Sequence, residues 1–223
     1  DQGSGSGLAN YDDMMPKANE EVWDGLDTST SGLVGSLGSS GRIQYVKAMD
    51  GVTLDAAFGT GSSTNNADGV SSGSGEGGGY SLGLVISGDT LGVDGLTLGG
   101  GYGETEAGAG VNDLEDTAIF ATYAMGSVSF GLQRNEITGG AAGATEQEAD
   151  LYSVAFNVNE NIAISYGEKN TDFTATGAAT VEEEVDGVGV SFTMCKCSLP
   201  NLVYTLCTRK RVRGWDGRYG AVR

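Results

Sequence analysis

The chain has 223 residues, 30 Asp and Glu against 12 Lys and Arg, a net charge of −18, and no histidine. The missing histidine removes the commonest general base, the Ser-His-Asp arrangement and histidine-based metal sites. With 39 Gly, 2 Pro and 39% hydrophobic residues, and without an apolar run long enough for a membrane helix, the composition suits an extracytoplasmic all-β protein.

Residues 1–40 open the chain in polar sequence, so a secretion signal is expected to have been processed or lost. Acids gather here: Asp12, Asp13, Glu20, Glu21, Asp24 and Asp27 accompany a single Lys17 within residues 8–35. Period-two hydrophobicity then predicts nine strands, at 42–49, 51–59, 79–88, 95–103, 117–125, 127–135, 150–158, 161–169 and 186–194. Their joins alternate strictly. Short turns fall at Asp50-Gly51, Asp89–Asp94, Gly126 and Asn159-Glu160, and long Gly/Ser/Thr/acid-rich loops at 60–78, 104–116, 136–149 and 170–185. One kind of join at each end of a wall is the signature of an outer-membrane β-barrel.

Within the strands one parity is apolar and the other small or polar. Leu82, Leu84 and Ile86 alternate with Ser81, Gly83 and Ser87, and Val154, Phe156 and Val158 repeat the pattern. Phe58, Tyr80, Tyr102, Tyr152 and Tyr166 all fall on the apolar parity at the long-loop end, which predicts an aromatic girdle at a membrane–water boundary. Gln44, Asp55 and Lys169 take the opposite parity and are candidate pore-lining residues. Arg42 shares that parity, as a pore-wall base or an exposed strand-end charge. Lys47 and Arg134 lie on the apolar parity near strand ends, where long side chains snorkel to polar surroundings.

After Met194 the composition changes. Seven Lys and Arg face one acid, Asp216, so the tail from Cys195 carries +6 of the chain total of −18 and residues 1–194 carry −24. All 3 cysteines lie in this tail, but Cys195-x-Cys197 with Cys207 lacks the second ligand pair of a metal site. The basic run Arg209–Arg213 suggests a nucleic-acid contact that is out of keeping with an envelope protein. Neither a metal, a cofactor nor a nucleic-acid partner is expected.

Ser36-Leu37-Gly38-Ser39-Ser40-Gly41-Arg42-Ile43-Gln44-Tyr45-Val46, followed by Asp50-Gly51-Val52-Thr53-Leu54, resembles the general-diffusion porins of Gram-negative outer membranes, of alphaproteobacterial type. The family's Gly/Ser-rich segment, Arg-x-x-Tyr strand, tight turn and Gly-hydrophobic-Thr strand are all present, although Ala48-Met49 replace its turn proline. The resemblance is specific over 36–58, architectural over 59–194 and absent beyond. It implies an antiparallel transmembrane β-barrel in the outer membrane, with residues 1–40 as a constriction-loop segment, 41–194 as barrel strands and loops, and 195–223 outside the native family fold.

Counted against the family, nine strands after the constriction loop imply an incomplete barrel. The resemblance also implies passive diffusion of small hydrophilic solutes and ions, a homotrimer set in outer-membrane lipid, and no enzymatic activity. Asp12, Asp13, Glu20, Glu21, Asp24 and Asp27 would face Arg42 across the constriction, and their excess predicts cation preference. An alternative class is a secreted acidic calcium-binding β-protein or adhesin, suggested by Gly92–Gly100. Its nonapeptide period has no second copy in register.

Overall fold

The computed structural model describes residues 7–11, 14–23, 42–60, 78–106, 112–140, 145–175 and 177–193, and the backbone of 202–214. Asp12, Asp13, Asp24 and Asp27 lie outside the described residues.

The chain forms one antiparallel sheet in which each strand pairs with its sequence neighbours. Its strands are β1 (Arg42–Met49), β2 (Val52–Thr60), β3 (Gly78–Ser87), β4 (Leu96–Thr105), β5 (Asn112–Met125), β6 (Val128–Gly140), β7 (Thr145–Asn159), β8 (Ile162–Ala175), β9 (Val181–Phe192) and β10 (Leu202–Gly214). Such a meander follows from hairpin connections alone, since no crossover is needed to pair successive strands. β1 and β10 are its two edges and do not pair with each other.

All nine predicted strands are present, with two corrections. A tenth strand occupies the tail, paired with β9 from Leu202 opposite Phe192 to Gly214 opposite Val181. The loops predicted at 104–116, 136–149 and 170–185 are also largely strand, because β5 to β9 each extend about five residues into them. The apolar alternation fades there, since the outward parity turns polar at Glu115, Glu136, Glu148, Asp172 and Glu184, but backbone pairing does not depend on which face is apolar.

The short turns are tight and stitched to neighbouring hairpins. Gly51 and Gly126 take φ of 70° and 62°, the left-handed conformation that glycine adopts at little cost. Between β3 and β4 the short turn expected at Asp89–Asp94 contains a single helical turn, α1 (Gly88–Leu91). Ser87 caps it through its side chain, and its own N–H donates to Gly51 O at 2.6 Å. Thr90 Oγ1 adds a hydrogen bond to Asp50 O, tying this end of the wall together.

The two sheet faces differ completely. One presents exposed apolar residues along the wall, including Leu82, Ile119 and Leu132, each more than half exposed. On the other, here the inner face, lie residues 7–11 and 14–23, whose Leu8, Tyr11, Met15, Val22 and Trp23 form a buried core with Phe120, Leu151 and Val185.

Candidate functional site

Residues 7–11 and 14–23 cross the inner face on a floor of glycines. A Cβ added at Gly83 would fall 2.1 Å from Tyr11 Oη, one at Gly101 2.8 Å from Leu8 Cδ1, and one at Gly131 2.3 Å from Pro16 Cδ. Gly167 holds the same position beneath Val22, at 2.8 Å. All four glycines lie on the inner parity of β3, β4, β6 and β8. Their missing side chains leave the shallow channel that the segment fills.

Side chains on the wall complete the seat by satisfying the segment's backbone. Ser81 Oγ accepts from Leu8 N at 3.4 Å, Ser165 Oγ accepts from Ala18 N at 3.1 Å, and Gln133 Nε2 donates to Tyr11 O at 2.7 Å. Irregular backbone pressed against a wall needs such partners, because unpaired N–H and C=O groups lose their water. The Tyr11 ring meets Phe120 at 5.6 Å between centroids. Beneath Met15, Pro16 and Trp23 the residual space is about 10 Å³, at the lower limit of what one water needs. The segment is packed on the wall.

The acids of this region divide into different roles. Glu21 is buried and turned onto its own segment, where its carboxylate accepts from Met15 N at 3.1 Å and from Trp23 Nε1 at 2.7 Å. Its neighbour Glu20 is exposed, with Lys17 Nζ at 3.9 Å. Asp55 lies on the inner face of β2, accepting from Asn10 Nδ2 at 2.8 Å and from Gln44 Nε2 at 3.1 and 3.2 Å. This carboxylate therefore joins the segment to β1 and β2. Burial, and secondarily the Asp55 charge, push the Tyr11 hydroxyl up to about 12.

Gln44, Asp55 and Lys169 thus share the inner face, and Lys169 is wholly buried there among Leu151, Thr171 and Val185 on neighbouring strand positions. Arg42 stands at the start of β1, opposite Gly59. The structure brings Asp55 and Gln44 into contact with the segment. Glu21, implied by the resemblance as a constriction acid facing Arg42, has its two oxygens on the segment's own turn. The anchors Leu8, Tyr11, Met15, Val22 and Trp23 went unrecognised in the sequence. Their signal was apolar residues recurring in an acidic stretch together with glycines on one strand parity.

On the outer face Phe58, Tyr80, Tyr152 and Tyr166 are exposed and Tyr102 is partly so. Phe58 stands opposite Tyr80, and Tyr80 and Tyr102 lie 6.2 Å apart between ring centroids. A second row that the sequence analysis did not identify lies near the short-turn end. Tyr123 is opposite Phe130, Phe156 opposite Ile164, and Phe192 opposite Ile162. Apolar side chains between two aromatic rows form the band expected of a wall whose outside meets lipid.

The sequence matches the Gram-negative porin family over residues 5–194. The chain belongs to that family. This porin is similar in fold to OmpT (in-vitro folded), an outer membrane protein of Vibrio cholerae, with a TM-score of 0.51 and 14% identity over 69% of this chain and 49% of that one. A loop L8 deletion mutant of the same protein gives a TM-score of 0.49 and 16% identity, covering 68% and 51%. The porin chain therefore spans about half the length of the solved structure it matches. No curated protein matches it. Family and fold place the chain in the outer membrane as a β-barrel wall, and the calcium-binding secreted alternative gives way.

Proposed function

We propose that the complete protein is a general-diffusion porin, in which the wall described here encloses a wet lumen narrowed by residues 7–23. Small hydrophilic solutes and ions cross it passively and without chemical change, so the protein is not an enzyme. The observation that carries this reading is the opposition of the two faces: exposed apolar residues outside, and Asp55, Gln133, Asn135, Lys169 and Glu183 inside under an acid-bearing segment. Inward polar groups suit water and outward apolar ones suit acyl chains.

In this reading Asp12, Asp13, Glu20, Asp24, Asp27 and Arg42 border the constriction, while Gln44, Asp55 and Lys169 line the wall behind it. The excess of acid gives cation preference. Phe58, Tyr80, Tyr102, Tyr152 and Tyr166 form the long-loop girdle, residues 195–223 lie outside the family fold, and the protein assembles as a homotrimer. Planar-bilayer recording of the complete protein tests the central claim. Stepwise ohmic conductance is expected, and a folded, inserted protein that passes no current would refute it.

A further inference from the structure

Beneath the inner segment one serine of the wall stands without a protein partner. Ser153 on β7 lies between Gly131 and Gly167 in the strand register, so its neighbours along the row have no side chains. Residues 14–23 come down on both sides of it: Pro16 occupies the space over Gly131, and Val22 and Trp23 that over Gly167. The Ser153 hydroxyl is thereby buried, and among the described residues it has no hydrogen-bond partner. It lines the residual space of about 10 Å³, to which Ser165, Glu21 and Lys17 also contribute.

Chemistry selects the occupant. A buried hydroxyl left unpaired costs stability, and a space that is polar and about as large as one water is the kind that water fills, whereas apolar voids stay dry. The surrounding groups have bonds to spare. Ser165 Oγ accepts from Ala18 N, which leaves its O–H free to donate. The Glu21 carboxylate accepts from Met15 N and Trp23 Nε1, and each of its oxygens can accept a second bond. A water accepting from the two serines and donating to Glu21 has three partners, the usual number for a buried water. A sodium ion is of similar size, but Lys17 sets a cation beside the same space and would repel it.

We propose that a single ordered water occupies the space beneath Pro16 and Trp23, held by Ser153 and Ser165 of the wall and by Glu21 of the segment. It gives the Ser153 hydroxyl its partner and adds a polar bridge between segment and wall. The inference rests on the packing of residues 14–23 and is independent of whether the lumen conducts.

Thermal unfolding of the full chain in detergent separates a wet space from a dry one by the sign of the change. With water present, Ser153→Ala removes one of its three partners, and the melting temperature should fall by about 2–4 °C, the scale of one hydrogen bond in a chain of this size. A dry space predicts the reverse, because alanine then removes only an unpaired hydroxyl. An unchanged or raised melting temperature in folded Ser153→Ala would therefore overturn the proposal. The unaltered chain should melt at the same temperature in sodium and potassium chloride of equal strength, and a rise specific to sodium would replace the water by a cation. A crystal structure that resolves buried waters should show one peak within about 2.5–3.0 Å of both Ser153 Oγ and Ser165 Oγ. No peak there, with other buried waters visible, would sink the idea without recourse to any variant.

Discussion

Single residues decide how the inner segment is held. Gly83 and Gly131 have no room for a side chain because Tyr11 and Pro16 occupy that space. Gly83→Val or Gly131→Val should therefore destabilise the folded chain by about 1–3 kcal/mol, the usual cost of overpacking, measured by thermal unfolding in detergent. Valine at Gly126, whose surroundings are open, would probe turn conformation instead. Trp23→Phe removes the donor at 2.7 Å from a buried carboxylate, and a loss of about 1.5–3 kcal/mol is expected. Tyr11 adds a pH dependence of definite sign. Its folded value lies above the ordinary 10, so its contribution is full below pH 10 and is lost as pH rises toward about 12. Tyr11→Phe should flatten the fall in melting temperature over that window, and an unaltered slope would show that other groups govern it.

At the level of elements, legibility followed the physics of the two strand faces. Leu82, Leu84 and Ile86 could be read because lipid on one side and glycine or serine on the other impose a period of two. The extensions of β6 and β7 could not, since Glu136, Glu146 and Glu148 carry no apolar face, although their backbones pair. The seat of residues 7–23 was half legible: its acids stood out, but the complementarity of Tyr11 to Gly83 joins positions 72 residues apart, which no local pattern reveals. β10 poses the sharpest question. Its register sets Arg209, Arg211 and Arg213 opposite Asp186, Glu184 and Glu182, while the family match ends at residue 194. An exposed strand edge offers pairing to any extended segment, and opposite charge strengthens it. A chain ending at Met194 should therefore keep the seat intact. Because Trp215 leaves with the tail, Trp23 becomes the one tryptophan, and its emission should match that of the full chain carrying Trp215→Phe. A red shift on truncation would show that β10 supports the fold.

For the whole molecule the decisive quantity is the sign of the field along the inner face. Residues 1–194 carry −24, and the described inner face bears buried Asp55, Asp116 and Glu183 against Lys169, with the exposed Glu20 and its partner Lys17 on the segment above. Low-dielectric walls focus such a field along a narrow path and raise the local cation concentration. In the complete channel, reversal potentials in a potassium chloride gradient should be cation-selective at low salt. They should shrink as the Debye length falls from about 10 Å at 0.1 M to about 3 Å at 1 M. Adjacent acids should separate the electrostatic role from the structural one. Glu20→Gln removes an exposed charge and should reduce selectivity while leaving the melting temperature nearly unchanged. Glu21→Gln weakens the acceptor for Met15 N and Trp23 Nε1, so it should lower the melting temperature. Anion selectivity at low salt, or equal thermal destabilisation by the two substitutions, would show that the segment's acids do not divide their work in this way.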